Sequence, residues 1–85
     1  MKINFHKSFD KMFAKLPKFV KEKFYIRLEI FSLNINNPLL NIHPLKGKRR
    51  GQWSINITGD CRALYIEQED GVIFLEIGTH PQLYE

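Results

Sequence analysis

The sequence predicts a small α+β domain of order β-α-α-β-β-β, an antiparallel sheet with a helical hairpin on one face. Three observations carry this. The apolar residues of the first half recur at helical spacing on either side of Pro17, and those of the last third alternate with polar ones. A chain of 85 residues with 44% hydrophobic residues, seven of them Phe, is long enough for one compact core and no more, so residues 1–85 read as one domain.

Lys2-Ile3-Asn4-Phe5 alternates polar and apolar and suits a short strand with Ile3 and Phe5 inward. Ser8 is the candidate N-cap of a first helix, after which Phe9, Met12, Phe13 and Leu16 fall at i, i+3, i+4 and i+7. Pro17 stops that helix and suits the start of a second, about Lys18 to Asn34. This second helix carries two apolar stripes. Val20, Phe24, Leu28 and Phe31 form one; Phe19, Ile26, Ile30 and Leu33 form the other. Two stripes want two neighbours, most simply the sheet and the first helix.

Residues 34–50 form a long connection broken by Pro38 and Pro44, and loops of this length are often functional. From Trp53 the period becomes two, with Ile55 and Ile57 alternating with Ser54, Asn56 and Thr58. A turn at Thr58-Gly59-Asp60, a strand from Cys61 to Glu67, a turn at 68–71 and a strand from Val72 to Ile77 complete the sheet. The last hairpin brings Cys61 and Arg62 beside Ile77 and Gly78, so His80 reaches the sheet end that holds Asp60. A three-residue turn at 58–60 sets Asn56 opposite Arg62, whereas a two-residue turn reverses that parity. His43 can reach the same end, but the chain does not force it there.

Net charge is +4 and the sequence pI about 9.4, which favours an anionic partner. No stretch is apolar enough for a signal peptide or a membrane span, and Cys61 has no disulfide partner, so a reducing cytoplasmic setting without membrane contact is expected. His6, His43, His80 and Cys61 lack the paired spacings of metal sites, and no Gly-rich phosphate loop precedes a helix. Neither metal nor small-molecule cofactor is expected. His6, at a strand-to-helix junction, reads as structural, and Cys61 as a small buried residue.

Two motifs carry chemistry. Ile42-His43-Pro44-Leu45-Lys46-Gly47 precedes the cations Lys48, Arg49 and Arg50, and Gly78-Thr79-His80 is followed by Leu83-Tyr84. Two imidazoles with cations suit cleavage of an RNA phosphodiester: one takes the 2′-hydroxyl proton, the other protonates the leaving 5′-oxygen, and cations stabilise the phosphorane. His80 is the candidate acid and His43 the candidate base. Lys46, Lys48, Arg49 and Arg50 are candidate phosphate holders. Arg62 either pairs with Asp60 or Glu76 or faces a phosphate.

These motifs, with Gly51 and Asp60-Cys61-Arg62 leading to Tyr65, resemble in order and spacing the YafQ-like branch of the RelE/ParE toxin superfamily across the whole chain. The resemblance implies a bacterial, cytoplasmic type II toxin. It would be a ribosome-dependent, metal-free endoribonuclease that cuts messenger RNA in the A site and is held by a cognate antitoxin. His43, Asp60, His80 and Tyr84 match functional positions of such toxins, Asp60 to support a histidine and Tyr84 to hold a base, and Arg62 matches an arginine used against the scissile phosphate. Asn56, an expected RNA contact, stands where the YafQ-type pattern has another histidine, and Glu76 where a basic residue is common. The second stripe of helix two, with Leu64 and Ile66 if they face outward, would suit antitoxin docking. Two alternatives are a ParE-like toxin that poisons gyrase by binding, and a non-catalytic RNA-binding domain of the same fold.

Overall fold

A computed structural model of the chain describes residues 1–84. Its elements are β1 (Lys2–Phe5), α1 (Lys7–Ala14), α2 (Lys18–Leu33), β2 (His43–Pro44), β3 (Trp53–Asn56), β4 (Cys61–Gln68), β5 (Gly71–Thr79) and α3 (His80–Tyr84), with 3-10 turns at Pro38–Leu40 and Gly47–Arg49. The strands form one sheet in the order β1-β5-β4-β3-β2. Its pairs are antiparallel except β1–β5, which is parallel. The two helices crossing from β1 back to the sheet permit that parallel docking. No helix among the described residues is long and apolar enough to cross a membrane.

The expected elements are present, with β2 and α3 added inside segments that periodicity left as loops. Pro44 enters β2 because that strand is an edge, where a missing N–H breaks no ladder. The cap of α1 lies two residues earlier than expected: His6 is the N-cap, and its Nδ1 accepts the Ser8 N–H at 3.1 Å. Ser8 instead donates its hydroxyl to the Leu75 carbonyl at 2.6 Å, tying α1 to β5.

Phe9 of α1 and Val20, Phe24 and Phe31 of α2 pack on Ile55, Ala63, Tyr65, Phe74 and Ile77. Phe24 and Phe74 meet edge to face at 5.7 Å, and Tyr65 sits 5.2 Å from Phe31. The first stripe of α2 thus supplies the core, while Phe19, Ile26 and Leu33 of the second remain exposed and do not pack on α1.

One irregularity positions everything on the opposite face. Leu64 pairs with Glu76 but Tyr65 with Phe74, so Leu75 is an extra residue on β5. This bulge shifts the strand's parity, sending Val72, Phe74 and Ile77 all to the helices although their spacing is not strictly two. Glu76 and Gly78 go to the other face, beside Leu64 and Arg62. Leu64 does face away from the helices, as docking would need, but it is fully buried, and Leu83 of α3 is buried with it. It is therefore not a free docking surface.

Candidate active site

On the face away from the helices, two adjoining clefts share Leu45 and Tyr84. One, of about 530 Å³, is lined by Asn41, His43, Leu45, Ser54, Gly59, Asp60, Arg62, His80 and Tyr84. The other, of about 570 Å³, holds Lys46, Lys48 and Arg49 with Gln52 and Leu83. The antiparallel pairing of β2 with β3 puts His43 opposite Ser54, and Asn56 stands opposite Arg62, the parity of the longer turn. Both motif histidines therefore border one cleft.

His43 precedes Pro44, which holds it extended. Its Nδ1 lies 3.0 Å from the Asn41 carbonyl oxygen. A carbonyl only accepts, so Nδ1 carries a proton, and the tautomer this favours has its lone pair on Nε2. Asn41 can present that carbonyl because it sits in the left-handed region, φ 45°, which asparagine tolerates.

His80 lies not on a turn but at the start of α3, one helical turn from Tyr84, and their ring centroids are 4.6 Å apart. The Gln82 side chain accepts the Thr79 N–H at 2.8 Å and closes the helix start. Gly78 leaves the space for that return: a Cβ there would sit 2.7 Å from Gln82 Oε1 and push it off the amide.

Arg62 takes neither expected acidic partner. Its Nη1 lies within hydrogen-bonding distance of the carbonyls of Thr58, Gly59 and Cys61 at 3.0, 3.2 and 3.2 Å, so the guanidinium is clipped to the turn, and among the described residues no carboxylate pairs with it. Asp60 does not support a histidine; its Oδ1 accepts from the Thr58 hydroxyl at 3.2 Å, and it lines the cleft as a turn residue.

The basic run divides. Lys46 and Lys48 are exposed at the cleft. Arg50 is exposed but is not among its lining residues. Arg49 is consumed internally: it pairs with Glu76 at 2.5 Å, donates to Gln52 at 3.1 Å and to the Leu83 carbonyl, and lies 5.6 Å from the Tyr84 ring. It is a brace joining the basic loop, β5 and α3, not a phosphate holder. Glu76 is thereby neutralised and does not face His80 as a free negative charge.

Asn56 is not turned to RNA by its carbonyl, since Oδ1 is buried, with no hydrogen-bond partner among the described residues. Ser54 is the residue sequence reasoning passed over. It is fully buried, lines the cleft across the strand from His43, and its hydroxyl has no partner among the described residues. Its signal was present in the alternation, since a serine between Trp53 and Ile55 must face away from the core. Cys61 is buried, and burial, with Asp60 adding to it, pushes its thiol up to about 11, so it is no nucleophile.

A sheet with a helical hairpin on one face and a histidine-bordered basic cleft on the other defines a small RelE-like α+β fold. No family model and no curated protein matches the chain. Solved structures do. The chain aligns over 99% of its length with YafQ from E. coli at 19% identity, covering 98% of that protein with TM-score 0.76. It aligns with a copper-bound mutant toxin from Helicobacter pylori at 27% identity, covering 99% of each chain with TM-score 0.74. A conserved Helicobacter pylori protein solved in solution shares 30% identity over 99% of both chains, with TM-score 0.66. The chain has the RelE/YafQ-like toxin fold.

Proposed function

We propose that this chain is the toxin of a type II toxin–antitoxin pair, a cytoplasmic ribosome-dependent endoribonuclease that needs no metal and cuts messenger RNA in the A site. The observation that carries it is the pair His43 and His80 on one cleft, with the tautomer of His43 favoured by Asn41. His43 Nε2 takes the proton of a ribose 2′-hydroxyl, and that oxygen bonds to the adjacent phosphorus. The bond from phosphorus to the 5′-oxygen breaks as His80 protonates that oxygen. The products are a 2′,3′-cyclic phosphate and a 5′-hydroxyl end. Arg62, Lys46 and Lys48 stabilise the phosphorane charge, and Tyr84 offers a ring for base stacking. The ribosome holds the messenger in line, leaving a small protein less to organise.

YafQ and RelE, which share the fold, have been crystallised with the antitoxins DinJ and RelB, and this chain is proposed to have a cognate antitoxin likewise. The test is primer extension on a defined messenger in a purified translation system. His80→Ala is expected to lower cleavage by about 10²–10⁴-fold without unfolding, and omission of ribosomes to abolish it. A fully active His80→Ala protein removes the claim.

A further inference from the structure

The basic cleft beside the histidines holds one polar side chain to which the phosphodiester chemistry gives no task, Gln52. Its backbone is fixed on both sides: its N–H donates to the Arg49 carbonyl at 3.0 Å, and its carbonyl accepts the Leu45 N–H at 2.9 Å. Its side chain is fixed as well. Arg49 Nη1 donates to Gln52 Oε1 at 3.1 Å, and Arg49 is itself held by Glu76 and the Leu83 carbonyl. A guanidinium only donates, so the atom facing it is the amide oxygen, and the amide nitrogen is turned the other way. That nitrogen has no hydrogen-bond partner among the described residues, and it is not buried, since the buried unpartnered side-chain atoms among them are Ser54 Oγ and Asn56 Oδ1. An NH2 donor therefore opens on the cleft from a fixed place.

The rest of the lining suits a nucleobase. Tyr84 gives an aromatic face and Leu45 an apolar one, while Lys46 and Lys48 are cations that enter no ion pair among the described residues. Arg49 occupies the Gln52 oxygen and pairs with Glu76, so the amide and charged groups here offer donors and no free acceptor. The four bases divide on this point. Guanine and uracil carry an exocyclic oxygen where adenine and cytosine carry an amine. A donor pairs with the oxygen, whereas the amine is left facing another donor, with no amide or carboxylate free to accept from it.

Tyr84 says which nucleotide is read. Its ring lines both clefts and lies 4.6 Å from that of His80, the group that protonates the leaving 5′-oxygen. That oxygen belongs to the nucleotide after the cut. We propose that Gln52 is a specificity-determining residue: its amide N–H donates to the base of the nucleotide after the cut and favours guanine and uracil there over adenine and cytosine.

The proposal rests on the endoribonuclease reading, and one assay separates the two. In a purified translation system, four messengers that differ only in the base after the cut would be given to wild type, Gln52→Glu and Gln52→Met, with circular dichroism as the folding control. Wild type is expected to cut before guanine or uracil about tenfold faster than before adenine or cytosine. Gln52→Glu keeps an oxygen for Arg49 and turns an acceptor to the base, so the ratio is expected to invert. Gln52→Met offers neither donor nor strong acceptor, and the ratio is expected to shrink to within about twofold. A merely structural role would slow all four messengers alike and leave the ratio in place. Wild-type rates within twofold across the four bases, or a ratio unchanged in the folded variants, overturn the assignment and leave the endoribonuclease reading standing. A wild type that cuts none of the four overturns that reading, and this assignment with it.

Discussion

Arg49 shows why a cation's place in a basic run does not give its role. Four Lys/Arg within five residues look equivalent in sequence, yet only Arg49 is half-buried against Glu76 and α3. Its planar fork reaches a carboxylate, an amide and a carbonyl at once, which a lysine's point charge cannot do. Arg49→Ala is therefore expected to cost about 1–3 kcal/mol in urea unfolding, since it strands Glu76 in a part-buried site. It should also loosen Tyr84 and His80 and reduce cleavage. Lys48→Ala is expected to do the reverse: stability stays within about 0.5 kcal/mol, and the salt dependence of RNA binding becomes shallower. If Arg49→Ala flattens the salt dependence and leaves the urea midpoint in place, the arginine holds phosphate after all.

Among the elements, those set by local rules were legible and those set by distant partners were not. Pro17 divides the helices in sequence as in space, and the stripe Val20–Phe24–Phe31 is the buried one. The alternation from Trp53 correctly separates the core side of β3 from the cleft side. By contrast, β2 exists only because residues 43–44 pair with 53–54, and nothing in Asn41-Ile42-His43-Pro44 carries strand periodicity. The Leu75 bulge decides which face Glu76 takes, and a one-residue parity change has no local signature. The contact of Arg49 with Glu76 spans 27 positions and depends on that bulge. Residue types thus pointed to the two histidines, and pairing explains how they come to border one cleft. The parallel docking of β1 has a sharper requirement. A Cβ on Gly71 would lie 1.8 Å from the Lys2 carbonyl oxygen, which belongs to backbone and cannot swing away. Gly71→Ala is expected to destabilise the fold by about 2–3 kcal/mol, with amide exchange rising first in residues 2–5. Unchanged protection of those amides would mean the strands part without this contact.

The molecule as a whole has a core that excludes water from two ionisable groups, and this gives it an alkaline limit. Burial is the leading cause at both: it lifts the Cys61 thiol from 9.0 to about 11 and the Tyr65 phenol from 10.0 to about 12, with Asp60 and Glu67 adding to each. Below the unfolded values both groups are protonated in either state, and their full contribution to stability is present. As pH rises past 9.0, the unfolded thiol ionises while the folded one stays neutral, so unfolding releases a proton and stability falls. The loss from Cys61 ends near 11, and that from Tyr65 runs from 10.0 to about 12. Each group costs at most about 1.4 kcal/mol per pH unit across its window. Urea midpoints should be flat from about pH 7 to 8.5 for these groups and then drop. Cys61→Ala should delay the onset by about one unit, and Tyr65→Phe should remove the later part. An alkaline drop identical in wild type and both variants would place its cause outside the core, in the lysines and arginines of the basic face.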